Sequence, residues 1–391
     1  MTAKEFLHNY PKKKNESNNA WFRRLAKISG MSEKTFSSRY YKKQKVKKHT
    51  DIKYHFDRKE RILKTQLKEK DKLYKKALEN LDITEKRLNT LLYIKSLKPE
   101  YRMPVDNEQQ DLHKAIPILI YSDWHVEETV SPESVNGLNE FNLEISDKRI
   151  KKCFNRSHKL VNHLKTYYNI DTLYILLNGD IISGYIHEEL KEANQLSPTQ
   201  AIKFAKERII AGLEHIKTET NVKKIIVQCN YGNHGRTTLK KRFSETAYKN
   251  SYEWLMYSDI ADYFSKDETF EFHIAKSLIS YFTFLYKTKK FVLRTFHGDN
   301  IRFAGGVGGI TIPLNKMILR LDQNRAADYN IIGHFHTLFE ANKKTLVNGS
   351  LIGYNAFASD LGFEFETPKQ GLLLLDLERM EIRAKYTINC D

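Results

Sequence analysis

The chain has 391 residues, 40% of them hydrophobic, with 22 Tyr and 21 Phe. That is enough apolar and aromatic material for a real core, which excludes wholesale disorder, and the length suits two or three domains. No run approaches the roughly 18 consecutive apolar residues of a membrane span, and residues 1–20 lack the apolar stretch of a secretory signal. Cys153, Cys229 and Cys390 are too few and too scattered for a disulfide framework or a zinc pattern, so a reducing cytoplasm is the expected compartment, with no membrane partner. The net charge of +17 is unevenly spread: residues 1–100 hold 28 basic and 12 acidic side chains, the other 291 hold 37 and 36. Such asymmetry is the electrostatic signature of an appendage that meets a polyanion.

In chain order, residues 1–19 are polar and read as an arm. Trp21, Phe22, Leu25, Ala26 and Ile28 then mark one face of a helix, which Ser29-Gly30-Met31 interrupts. Ser32 resembles an N-cap for a second helix, with Glu33 in its first turn and Phe36 and Tyr40 facing inward. Two helices joined by a short turn containing Gly describe a helix-turn-helix, placed at residues 1–50. Lys34 and Arg39 would face outward there, followed by Lys42, Lys43, Lys45, Lys47 and Lys48, as candidate contacts to nucleic acid. A helical hairpin used for protein contacts is the alternative. Residues 51–112 form the next segment: a Gly- and Pro-free stretch over 52–97, in which Leu67, Tyr74, Leu81 and Leu88 recur every seven, then a linker beginning at Lys98-Pro99. That helix either pairs with a second copy as a homodimer or lies along its own body.

From residue 113 to 391 the texture changes to short apolar runs separated by longer amphipathic stretches, which predicts an α/β body. Each of five runs ends in residues that can hold metal. Ile116–Tyr121 leads to Asp123-Trp124-His125, Thr172–Leu177 to Gly179-Asp180, and Lys224–Gln228 to Gly232-Asn233-His234. Phe291–Phe296 leads to His297-Gly298, and Ile331–Ile332 to Gly333-His334-Phe335-His336. Sites in open α/β sheets form at the carboxyl ends of strands, so these five ends would bring a dense donor set together.

The ordered series D-x-H, G-D, G-N-H, H-G, G-H-x-H resembles the calcineurin-like metallophosphoesterases, which include phosphatases, cyclic-nucleotide phosphodiesterases and SbcD-type DNA repair nucleases. Residues 131–142 also resemble a segment of phage-encoded members, which would place the protein in a host cytoplasm. The resemblance implies a four-layer α/β/β/α sandwich around two divalent metal ions. It assigns Asp123, His125 and His336 to one ion, Asp180 to a bridging position, and Asn233, His297 and His334 to the other. Carboxylate, imidazole and amide-oxygen donors without thiolate suit Mn²⁺ best, with Fe or Zn²⁺ as alternatives. His234 would then stabilise the charged phosphorane or protonate the leaving oxygen, unless it merely packs.

Two departures stand out. The acidic residue that often follows G-N-H in the family is Gly235 here, and the second acidic residue of G-D-x-x-D is Ser183. Both put the orientation of the ligands in doubt rather than the ligands themselves. The run Ala304 to Gly309 lacks the Lys-Ser or Lys-Thr of a nucleotide loop and reads as a mobile loop or a tight connection. The expected function is a metal-dependent phosphodiesterase acting on nucleic acid, a DNA nuclease with Asp180 and His234 at the catalytic centre and an N-terminal DNA-binding module. The SbcD-type relatives imply a separate ATPase partner. The alternative is a phosphatase or nucleotide phosphodiesterase whose basic arm serves assembly.

Overall fold

The computed structural model describes residues 8–96, 112–242, 244–302, 309–360 and 364–391. The linker 97–111 and most of the Gly-rich run therefore lie outside the described residues. The chain divides into two compact units, Met1–Glu108 and Gln109–Asp391.

In the first unit, α1 (Asn18–Ser29) is capped by Ser17, whose hydroxyl accepts the N–H of Ala20, and ends on Gly30 at φ 70°. A left-handed residue here costs glycine nothing. Ser32 caps α2 (Glu33–Ser96) through the N–H of Thr35, as expected. Phe22, Leu25 and Ala26 are buried, with the rings of Phe22 and Phe36 at 6.4 Å. The second helix does not stop near residue 50. It runs without a break from Glu33 to Ser96, 64 residues, because the lysine cluster changes the charge of the segment but contains no helix breaker. Lys34 is exposed. Arg39, Lys42, Lys43, Lys45, Lys47 and Lys48 lie on this helix, but their side chains fall outside the described residues. Leu67, Tyr74, Leu81 and Leu88 are all exposed.

The second unit is mixed α/β with two sheets. The six-stranded sheet has the order β11-β10-β1-β2-β3-β4, with β1 (Ala115–Tyr121), β2 (Thr172–Asn178), β3 (Lys224–Asn230) and β4 (Phe270–Ile274) parallel. The hairpin β10 (Lys369–Asp376) and β11 (Glu381–Asn389) adds to it, antiparallel to β1. The five-stranded sheet has the order β5-β6-β7-β9-β8: β5 (Ser280–Tyr286), β6 (Lys289–Thr295), β7 (Tyr329–Ile332), β8 (Phe339–Ala341) and β9 (Thr345–Val347).

Three apolar clusters explain why the strands read as unbroken hydrophobic runs. Ala115, Leu119 and Tyr121 of β1 pack on one side with α3 (Leu143–Leu164), α5 (Pro198–Thr220) and α6 (Tyr252–Tyr263), the short α4 (Glu188–Ala193) lying between α3 and α5 in the chain. Ile116, Ile118 and Ile120 point to the other side and pack with Phe291 and Leu293 of β6 and Ile331 of β7. A strand buried on both faces has no polar alternation. Ile332 and Val347 pack with Leu314 and Ile318 of α7 (Thr311–Asn324) in the third cluster. Gly212 of α5 meets the Phe154 ring of α3 so closely that an added Cβ would lie 2.2 Å from it, so only glycine admits that approach.

Candidate metal centre

The carboxyl ends of β1, β2, β3, β6 and β7 carry the expected motifs, and the tertiary structure brings them together. Among the described residues, three groups have donor atoms within 4.8 Å of one another: Asp123, His125 and His336; His125, Asp180 and His234; and Asp180, His297 and His334. Asp180 belongs to two of them, from the end of β2. Asp123, His125, Asp180, His334 and His336 all hold positive φ, between 50° and 71°. Such backbone costs of order 1–3 kcal/mol at each residue and persists only where surrounding bonds over-determine it. Here they do. Asp180 accepts, through its carbonyl, the N–H groups of Trp124 at 2.8 Å and His125 at 3.2 Å, while the Asp123 carboxylate accepts the N–H of His334 at 2.9 Å.

The hydrogen bonds also set the imidazole tautomers. Nδ1 of His234 meets the carbonyl of Ser183 at 2.9 Å, and Nδ1 of His297 meets that of Asn178 at 2.8 Å. A carbonyl only accepts, so both Nδ1 atoms carry protons and both Nε2 atoms are left for the centre. His297 Nε2 stands 2.7 Å from Asp180 Oδ2. Two imidazole nitrogens, Nε2 of His125 and Nε2 of His336, face each other at 3.2 Å.

Burial dominates the titration. It pushes Asp123 up to about 7, drives His125 down, and lowers His334 to about 4 and His336 to about 3. For His297 burial acts downward, but Asp180 outweighs it and lifts the imidazole to about 10. Burial likewise raises Asp180, and the imidazoles of His297 and His234 overcome it and hold the carboxyl well below its usual range.

A test of whether these residues suit metal ions is whether the protein satisfies them by itself. It does not. Asp123 Oδ2 and Asn233 Oδ1 are buried acceptors without a hydrogen bond, which costs on the order of 1–3 kcal/mol each unless a cation takes the lone pairs. With two carboxylates, an amide oxygen and four imidazoles, the set is of the kind that could hold divalent metal.

Sequence reasoning missed the carboxylates behind these donors. Ser183 Oγ, 3.0 Å from His125 Nδ1, donates to Glu128 Oε2 at 2.9 Å. Glu127 Oε1 accepts the N–H groups of Ser183 at 3.0 Å and Gly184 at 2.9 Å. Glu253, on α6, accepts from Ile181 at 2.6 Å and Gly232 at 2.7 Å. Glu127 and Glu128 lie two and three residues past His125, a local signal, whereas Glu253 carries none. Arg236 spreads its guanidinium over the carbonyls of Asn233, Thr238 and Leu239, holding the loop after the third motif.

No family model matches the chain, and no curated protein matches its sequence. Among solved structures it is similar to a phosphatase from Mycoplasma pneumoniae, at 12% identity over 71% of this chain and 92% of that one, with a TM-score of 0.26. It is also similar to a protein serine/threonine phosphatase from Saccharomyces cerevisiae, at 12% identity over 72% of this chain and 81% of that one, TM-score 0.26. Among the described residues no helix is long and apolar enough to cross a membrane.

Proposed function

We propose that the second unit is a calcineurin-like metallophosphoesterase with the helix-sheet-sheet-helix layering of that family, holding two divalent ions, Mn²⁺ foremost, and hydrolysing phosphodiester bonds of nucleic acid. The observation that carries this reading is the convergence of the D-x-H, G-D, G-N-H, H-G and G-H-x-H residues into three donor groups, the first linked to the second through His125 and the second to the third through Asp180. Asp123, His125 and His336 would hold one ion, Asn233, His297 and His334 the other, with Asp180 between them. Bound there, two divalent cations supply the positive charge that activates an attacking water and offsets charge gathering on the phosphoryl oxygens. His234, with Nδ1 tied to Ser183, offers Nε2 to the leaving oxygen or to a phosphoryl oxygen.

The choice of a diester in nucleic acid rests on charge. Nearly all of the net positive charge sits on residues 1–100, where Lys34, Arg39 and the lysines from Lys42 to Lys48 would neutralise backbone phosphates without reading sequence. The test is a panel of single-stranded, duplex and nicked DNA, RNA, a chromogenic diester and a monoester, each with and without Mn²⁺. Metal-dependent cleavage of DNA is expected. Asp180→Asn should abolish it with loss of metal, and His234→Ala should lower it about 10²–10⁴-fold with metal retained. Efficient turnover of the monoester with every nucleic acid left intact would mean a phosphatase.

A further inference from the structure

Gly235 stands where a side chain has been traded for space. Its φ lies outside the left-handed region, so the backbone there would accept any L residue; what forbids one is Glu253, whose Cγ would lie 2.7 Å and Cδ 3.1 Å from an added Cβ. The glutamate is fully buried, and its two oxygens serve two different loops. Oε1 accepts the N–H of Ile181, next to Asp180, and Oε2 accepts the N–H of Gly232, next to Asn233. The first loop is also tied to the segment after β1, since the carbonyls of Asp180 and Ile181 accept the N–H groups of Trp124, His125 and Val126. A shift of Ile181 is therefore felt at both ends of the centre.

We infer that Glu253 is the positioning residue of the metal centre: reaching in from α6, its carboxylate occupies the place left by Gly235 and braces the Asp180 loop against the Asn233 loop. The inference rests on the metallophosphoesterase reading. Only a carboxylate can do this with both oxygens, because the amide of a glutamine would turn an N–H₂ against one of the two backbone donors.

Mn²⁺ titration calorimetry on the full chain tests it, together with amide exchange of Ile181 and Gly232 in EDTA. Glu253→Gln, which keeps the volume, should weaken Mn²⁺ binding about 10–100-fold and expose one of the two amides, lowering the metal-free unfolding midpoint only as far as the loss of one buried hydrogen bond requires. In Glu253→Ala the nearest obstacle to a side chain at 235 becomes the Cβ at 3.4 Å. Adding Gly235→Glu to that variant should therefore restore most of the affinity, which a packing role for Glu253 would not predict. If Glu253→Gln binds Mn²⁺ as the wild type does, or if the double variant binds no better than Glu253→Ala, the brace is wrong while the metal reading stands. A wild type that takes up no divalent ion overturns both.

Discussion

His297 and Asp180 form a buried pair, Nε2 to Oδ2 at 2.7 Å, in which the imidazole is lifted to about 10 and the carboxyl held low. At neutral pH the histidine therefore keeps the proton that a cation must displace. Below its pKa the proton competes, so Mn²⁺ affinity should rise with pH. Titration calorimetry at pH 7.5 in two buffers of different ionisation heat should report release of about one proton per metal-loaded centre. Equal heats in the two buffers would refute this.

Burial pushes Glu127 up to about 7 from an ordinary value of 4.5. Between those values the folded chain binds more protons than the unfolded one, so this group makes stability fall as pH rises through that window. In EDTA, Glu127→Gln should have a shallower decline of the unfolding midpoint between pH 5 and 7 than the wild type, and should overtake it above pH 7. Parallel curves would show that Glu127 is ionised throughout.

Gly232 lies against Asp180: an added Cβ would stand 2.1 Å from its Oδ1 and 2.4 Å from its backbone nitrogen. Neither atom can yield, since that oxygen also accepts the N–H of His234 at 2.8 Å. Gly232→Ala should lose Mn²⁺ binding and cost about 1–3 kcal/mol of stability. Chemical denaturation and metal analysis check both.

Along α2 the exposed Leu67, Tyr74, Leu81 and Leu88 repeat every seven residues, with Leu63 and Leu91 also exposed. A stripe of that period buries itself best against another helix of the same kind. Sedimentation should give a dimer for the full chain, and Leu81→Asp with Leu88→Asp should give a monomer that binds Mn²⁺ normally. A monomeric wild type would refute the pairing.

Much of the centre was legible beforehand because each donor sits at a strand end, and apolar runs followed by Asp, Asn or His mark such ends without any knowledge of packing. The helical character of the first unit is equally plain; its continuity past residue 50 is not, because the charge shifts there while nothing breaks the helix.

By its own pattern the chain determined which Asp, Asn and His residues would stand at strand ends and which runs would be buried strands, since both depend on neighbours a few positions away. Only the tertiary structure decided that the five ends come from two sheets, that Asp180 is shared, and that Glu253 stands behind it, 72 residues beyond Ile181. Hydrogen bonds across such separations leave no period in a sequence. They exist only once the packing of β2, β3 and α6 has brought the partners within reach.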